Sequence, residues 1–155
     1  MDILKRLEDM VNDNSILEDE DQEVIFKIKD FKGNELLDNF LIKSIEKNNI
    51  NFVKLFIGLG ADIHADNDYA FCFASENGHT EIVKLLLDWG ADIHADDDYA
   101  LRWASEKGHT ETAKLLLDRG ADIHAKDDYA IRWASHNGHT GIVKILKEYM
   151  KKENR

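Results

Sequence analysis

Histidines that recur at a fixed spacing are the first residues of this sequence to suggest chemistry. Six of the seven histidines occupy two repeated positions: His64, His94 and His124, and His79, His109 and His139. Imidazole is a common zinc ligand, but its nitrogen must lie about 2.0–2.1 Å from the metal. Equivalent positions on stacked helices lie about 8–10 Å apart. A structural role is therefore favoured over a zinc site.

Recurring aspartates suggest calcium instead, at Asp66, Asp68, Asp96, Asp97, Asp98, Asp127 and Asp128. An EF-hand loop needs glycine at its sixth position and a bidentate glutamate at its twelfth. Counting from Asp62, the sixth position is Asn67, so the pattern fails. Serine, histidine and aspartate all recur at repeated positions, and no unique nucleophile–base pair or glycine-rich phosphate loop stands out. We therefore expect no enzyme activity, no catalytic residues, no metal and no cofactor.

Composition narrows the kind of partner. The 155 residues are 43% hydrophobic and carry a net charge of −11, which disfavours nucleic acid and favours a protein with a basic surface. Cys72 is the only cysteine, which favours a reducing, intracellular and cytoplasmic setting. No apolar run approaches the roughly 20 residues of a membrane span, so we expect no membrane association.

Internal repetition sets the organisation of the chain. Gly60-Ala-Asp-Ile-His-Ala65 returns 30 residues later at Gly90 and again at Gly120, and Gly78-His79-Thr80 keeps the same register. We number the units first (31–60, degenerate), second (61–90), third (91–120) and fourth (121–150). Residues 1–30 form an N-terminal segment, and residues 151–155 form a basic tail.

Each unit is predicted to contain two short helices. In the third unit they span about 98–107 and 110–118, separated by Gly108, which ends a helix at low cost. Asp68, Asp98 and Asp128 are candidate N-caps. The apolar residues of 82–87 cover most of a helix, which predicts burial on nearly all sides.

Residues 74–92, Ala-Ser-Glu-Asn-Gly-His-Thr-Glu-Ile-Val-Lys-Leu-Leu-Leu-Asp-Trp-Gly-Ala-Asp, resemble the ankyrin repeat. The resemblance is strong over 61–150 and weaker over 31–60. It implies an all-α solenoid of stacked helix-turn-helix units that binds another protein. It also implies that the Gly-His histidines bond the local backbone. The residues given a structural role are His79, His109, His139, Gly60, Gly78, Gly90, Gly108, Gly120 and Gly138.

Two departures from the family pattern carry further expectations. The usual unit has about 33 residues, and the shortfall lies in Ala65 to Tyr69. The β-hairpin finger of the family should therefore be shortened or absent. In the second departure, Tyr-Ala-Leu-Arg at 99–102 and its counterparts replace the Thr-Pro-Leu-His helix start of the family. Units with the pattern Tyr-Ala-x-Arg-Trp-Ala-Ser resemble the ankyrin arrays of giant DNA viruses of amoebae, which implies host cytoplasm and a host protein partner.

The N-terminal segment is less regular. Ile3, Leu4, Leu7, Met10 and Val11 predict an amphipathic helix. Residues 18–21 predict an acidic loop, residues 23–29 fit either a strand or a helix, and residues 30–33 resemble a finger turn. A cap over the first unit is favoured over a separate docking segment.

The predicted function is a non-catalytic adaptor, expected to be a monomer, that binds a partner protein through its acidic edge and the concave groove that the ankyrin resemblance implies. Its candidate partner-binding residues form an acidic edge (Asp66, Asn67, Asp96, Asp97, Lys126 and Asp127) and variable helix ends (Glu76, Asn77, Glu106, Lys107, His136 and Asn137). Phe73, Trp103 and Trp133 are interpreted as core rather than as a binding stripe, and Arg102 and Arg132 could pair with neighbouring aspartates. The alternative is a self-associating module that uses Trp89 and the N-terminal helix.

Overall fold

The computed structural model describes residues 3–12 and 34–153 of the chain. Within these residues the chain forms α-helices and no strand, which confirms the all-α prediction. Helix α1 (Ile3–Asn12) comes before four helix pairs. The pairs are α2 (Asn34–Glu46) with α3 (Ile50–Gly58), α4 (Ala65–Glu76) with α5 (Thr80–Asp88), α6 (Ala95–Lys107) with α7 (Thr110–Asp118), and α8 (Ala125–His136) with α9 (Thr140–Glu153). The earlier member of each pair is the first helix of its unit.

The second helices supply much of the core but keep one side in water. Helix α7 spans Thr110–Asp118, the bounds that the sequence predicts. Its counterpart α5 has three buried apolar side chains, Ile82, Val83 and Leu86. Glu81, Lys84 and Asp88 are exposed. The predicted burial on nearly all sides is wrong, because three polar residues at positions i, i+3 and i+7 share one face of the helix.

The first helices of the second, third and fourth units begin with a left-handed turn. In the third unit, Asp96, Asp97 and Asp98 have φ values of 50°, 54° and 56°. The same conformation recurs at 66–68 and 126–128. Left-handed backbone costs about 1–2 kcal/mol per residue, and aspartate and asparagine are among the side chains that adopt it most readily. This turn stands where the family's finger would be, so the right-handed helix of the third unit begins at Tyr99.

Aspartate side chains at the end of each turn join neighbouring units. A carboxylate oxygen of Asp68 accepts a hydrogen bond from the backbone N–H of Asp92 at 3.0 Å, and Asp98 does the same for Asp122 at 2.7 Å. Both aspartates are almost fully buried. Rather than capping their own helices, as the sequence suggests, these carboxylates satisfy a backbone donor in the following unit.

Histidines of the Gly-His corners form a second link between units. His109 donates Nε2–H to the carbonyl oxygen of Glu76 at 2.8 Å, and His139 contacts Glu106 in the same way at 2.9 Å. The acceptors lie in the preceding unit, not in the local backbone that the family resemblance implies. The His109 ring fills the space beside Gly78, where an added Cβ would lie 2.6 Å from the ring Cγ. The Gly-His segments at Gly78 and Gly108 therefore pack against the histidine of the following unit.

The two ends of the stack differ. Met10 and Val11 of α1 are buried in the hydrophobic core together with residues of α2. Helix α9 continues through Lys151 and Lys152 to Glu153, and Lys147 is exposed at the position that Leu117 occupies in the third unit. The predicted acidic loop, the strand-or-helix stretch and the turn at 18–33 lie outside the described residues. The interpretation of residues 1–30 as a cap stays a prediction.

Candidate binding surface

The left-handed turns expose the predicted acidic edge. Every member of that set is exposed: Asp66, Asn67, Asp96, Asp97, Lys126 and Asp127. Lys126 Nζ lies 2.6 Å from Asp97 Oδ2, and this hydrogen bond lowers the pKa of the Asp97 carboxyl group. Among the described residues, no cationic side chain forms an ion pair with Asp66, Asp96 or Asp127. The unneutralised charge of the edge is therefore concentrated on these three carboxylates.

The variable ends of the first helices divide into structural and free positions. Glu76 and Glu106 are half-buried and accept hydrogen bonds from the hydroxyl groups of Tyr99 and Tyr129 in the following units. Burial, followed by the hydrogen bond to Glu106, raises the pKa of Tyr129 to about 12. The remaining members of the predicted set are exposed: Asn77, Lys107, His136 and Asn137. The two glutamates therefore help to join units, and so does Asn137, which donates Nδ2–H to the carbonyl oxygen of Glu106 at 2.9 Å. The exposed side chains of Asn77, Lys107 and His136 remain candidates for contact with a partner.

Aromatic pairs run along the first helices, and we call the side that carries them the first-helix face. The pairs are Tyr69–Phe73, Tyr99–Trp103 and Tyr129–Trp133, with ring centroids 5.7, 5.4 and 5.7 Å apart. Trp103 is half-buried, and Trp133 is 38% exposed. The interpretation of Trp133 as a core residue is wrong, because no unit follows it in the described residues to cover its ring. The i, i+4 spacing of tyrosine and its aromatic partner is a sequence signal for this face that the 30-residue period alone does not reveal.

Arg102 lies between two of these tyrosines. Its guanidinium carbon is 5.7 Å from the Tyr99 ring centroid and 5.3 Å from that of Tyr129. Its Nε–H and Nη2–H donate to the carbonyl oxygens of Asp97 and Asp96, at 2.9 and 2.8 Å. The predicted pairing of this arginine with aspartates thus takes place through their backbone. The two N–H donors of Arg102 therefore satisfy carbonyl oxygens of the strained left-handed turn.

The other histidine row also has structural contacts. His64, His94 and His124 each place Nδ1 against the aspartate four residues later, at 3.0, 3.1 and 2.6 Å. Within residues 3–12 and 34–153, no three histidine, cysteine, aspartate or glutamate side chains are grouped so that they could hold a metal ion. In the second and third units, these contacts orient the Asp68 and Asp98 carboxylates that join the units.

A cleft of about 500 Å³ lies between α2 and α4. Its walls carry the apolar and aromatic side chains of Phe40 and Tyr69, together with the carboxylates of Asp38, Asp62 and Asp66. Its position at the exposed ring of Tyr69 makes it continuous with the first-helix face.

Helix pairs that are joined by the same contacts in successive units define a helical repeat solenoid. The family model for ankyrin repeats, in three copies, matches residues 41–127, more than half of the chain. The chain belongs to the ankyrin repeat family. Members of this family generally serve as protein–protein interaction modules and are typically non-catalytic. No helix in the described ranges is long and apolar enough to cross a membrane.

Proposed function

We propose that this chain is a non-catalytic adaptor that binds a partner protein with a basic surface through its first-helix face and acidic edge. The observation that carries the proposal is the position of the aromatic pairs. They run through three successive units beside the left-handed turns. The exposed carboxylates of these turns favour a cationic partner.

The aromatic pairs supply contact area at a low entropic cost. Tyr69 is 47% exposed and is stacked on Phe73, whereas Trp133 is 38% exposed and packs at a tilt against Tyr129. Large side chains that are held in one conformation lose little freedom on binding, and tyrosine and tryptophan are enriched among the residues that dominate interfaces. The first-helix face is therefore suited to the contacts that determine affinity.

The acidic edge supplies orientation and association rate. Exposed charges act over roughly 8 Å at physiological ionic strength, so Asp66, Asp96 and Asp127 would attract a basic surface before contact. The net charge of −11 adds a long-range attraction of the same sign.

Charge reversal of the acidic edge tests the proposal. The triple variant Asp66→Lys, Asp96→Lys and Asp127→Lys should fold, since Lys126 already adopts the same left-handed conformation at a φ of 53°. We expect it to lose the salt-sensitive partners that the unmodified chain captures from a cell lysate. The matched control is Glu81→Lys, Glu111→Lys and Glu148→Lys, which changes the net charge equally at exposed positions of the second helices. Equal loss in both variants, or in neither, would contradict a role for the edge.

Two finer parts of the proposal rest on the sequence alone. The single cysteine favours an intracellular, cytoplasmic setting. The resemblance of the short units to arrays of giant DNA viruses favours a host protein as the partner.

Self-association is the second candidate function, and the exposure of Trp89 favours it. This side chain is 42% exposed on the second-helix side, away from the proposed binding surface. The N-terminal helix offers less than the sequence suggests, because Met10 and Val11 are already buried within the chain. Light scattering at several concentrations separates the two candidates: a constant monomer mass supports the adaptor and excludes the self-associating module.

A further inference from the structure

One position of the repeat differs chemically between otherwise similar units. Arg102 of the third unit and Arg132 of the fourth unit are replaced by Cys72 in the second. Arg102 places its guanidinium against Tyr99 and Tyr129 and donates to two carbonyl groups of its own left-handed turn. Arg132 also donates to its turn, through Nη2–H to the carbonyl oxygen of Lys126 at 3.1 Å. The repeat therefore contains a guanidinium site that its own arginine occupies.

The second unit retains the surroundings of this site but not the arginine. Tyr69 and Tyr99 are the counterparts of Tyr99 and Tyr129, and the carbonyl groups of Asp66 and Asn67 belong to an equivalent left-handed turn. A cysteine side chain ends at its first atom beyond Cβ, too early to reach those carbonyl groups. Among the described residues, no cation lies over the Tyr69 ring and no side chain donates to the carbonyl groups of Asp66 or Asn67. Tyr69 is 47% exposed, more than any other large apolar side chain in the part of the chain that the structure describes.

The electrostatic surroundings of Cys72 also favour a cation. Burial, and then the nearby carboxylates of Asp96 and Asp68, raise the pKa of the Cys72 thiol to about 12. A thiol with so raised a pKa is neutral near pH 7. The carboxylates of Asp96 and Asp68 would stabilise a positive group beside the thiol, whereas Arg102 contributes an opposing positive charge.

We propose that the surface formed by the turn of Asp66 and Asn67 and the rings of Tyr69 and Tyr99, beside the buried Cys72 and called here the Cys72 groove, binds the guanidinium of an arginine side chain from the partner protein. The proposal rests on the proposed function and names the chemistry that one part of the surface recognises. Arginine is favoured over lysine because its planar group can stack on tyrosine while donating to two carbonyl oxygens, as Arg102 does one unit away. The bound guanidinium would be spaced from Arg102 as Arg102 is from Arg132, so the array already accommodates this repetition of positive charge.

A small probe tests the groove without knowledge of the partner. N-acetyl-arginine methylamide is titrated into the full chain at constant ionic strength, while NMR follows the ring protons of Tyr69 and Tyr99 against the lysine analogue. We expect saturable chemical-shift changes at the ring protons of both tyrosines. The lysine analogue should bind about tenfold more weakly, because an ammonium group cannot stack on the rings and donate to two carbonyl oxygens as a guanidinium does. Equal binding of the two probes, or no shift at either ring, would overturn the proposal.

Two exchanges between units give the decisive comparison. In Cys72→Arg the chain supplies its own guanidinium, so the probe shifts at Tyr69 should disappear. In Arg102→Cys a second groove opens, so new shifts should appear at Tyr129. Cys72→Ala is the control for the thiol and should bind the probe like the unmodified chain. If Cys72→Arg fails to fold, Tyr69→Ala replaces it, and its retention of probe binding at the Tyr99 ring would refute the assignment.

The outcome is separable from that of the proposed function. If the probe does not bind but reversal of the acidic edge still abolishes partner capture, the adaptor proposal stands and the arginine site falls. If the probe binds and the partner remains captured by the Cys72→Arg variant, the groove recognises guanidinium but the partner does not use it, which also contradicts the inference.

Discussion

Gly78 and Gly138 occupy equivalent positions in the second and fourth units, yet their surroundings differ. Gly78 packs against the His109 ring of the following unit, whereas nothing lies within 4 Å of a Cβ added at Gly138. Asp98 and Asp128 show the same contrast. Asp98 is 4% exposed and binds the N–H of Asp122, while the described residues offer Asp128 no donor from a later unit. A residue at a repeated position therefore stabilises an interface inside the stack, whereas its counterpart in the fourth unit contributes little to stability.

The largest expected difference between the two regions comes from substituting these glycines. Gly78→Ala should destabilise the chain by about 3 kcal/mol, because the added methyl group overlaps the His109 ring and alanine disfavours a positive φ. Gly138→Ala should cost only about 1 kcal/mol, since the backbone effect alone remains. Urea unfolding of both variants measures the two values. Equal destabilisation would mean that the Gly–His contact does not hold the units together.

The interface aspartates should show a smaller difference in the same direction. Asp98→Ala removes the acceptor of a backbone donor, so we expect a loss of about 2 kcal/mol. Asp128→Ala breaks only the contact with His124, and exposed pairs of this kind contribute less than about 1 kcal/mol. Thermal unfolding followed by circular dichroism separates the two variants. If the Asp128→Ala variant were as unstable as Asp98→Ala, Asp128 would also stabilise an interface, and the proposed difference between the two regions would be wrong.

The smallest expected effect is a difference in pH dependence between His79 and His124. Burial, followed by the charge of His109, lowers the pKa of His79. The hydrogen bond to Asp128 is the main cause that raises the pKa of His124. Unfolded histidine titrates near pH 6.5. His79 therefore costs stability as the pH falls below about 6.5, whereas His124 adds stability that is complete below this pH and is lost as the pH rises through its higher folded pKa.

Urea unfolding at pH 8 and pH 5.5 of His79→Gln and His124→Gln measures these opposite signs. Relative to the unmodified chain, His79→Gln should lose less stability on acidification and His124→Gln should lose more. His124 is exposed to solvent and His79 is half-buried, so we expect each change to stay below about 1 kcal/mol. The same sign for both variants would contradict the assignment of these pKa shifts.

The sequence predicts the elements of this fold better than the contacts between them. The bounds of α7 follow from local signals, a glycine stop before it and a run of apolar residues within it. The contacts of Asp98, His109 and Arg102 join residues 24 to 33 positions apart or connect a side chain to backbone, and they depend on how successive units are stacked. The missing finger could be located from the shortened repeat. The left-handed backbone that replaces it could not, because the same aspartates are also common as ordinary helix caps.

The left-handed turns also restrict how this surface can change over generations. Glycine, asparagine and aspartate enter such a backbone most cheaply, lysine adopts it at Lys126, and β-branched side chains are nearly excluded. Drift at positions 66, 67, 96, 97, 126 and 127 therefore runs through a small set of polar residues, as the Asp, Asn and Lys found there illustrate. Part of the acidity of this edge is a consequence of backbone shape. Exchange of aspartate for asparagine gives such a surface a way to adjust its charge, and hence its choice of partner, while the fold stays the same.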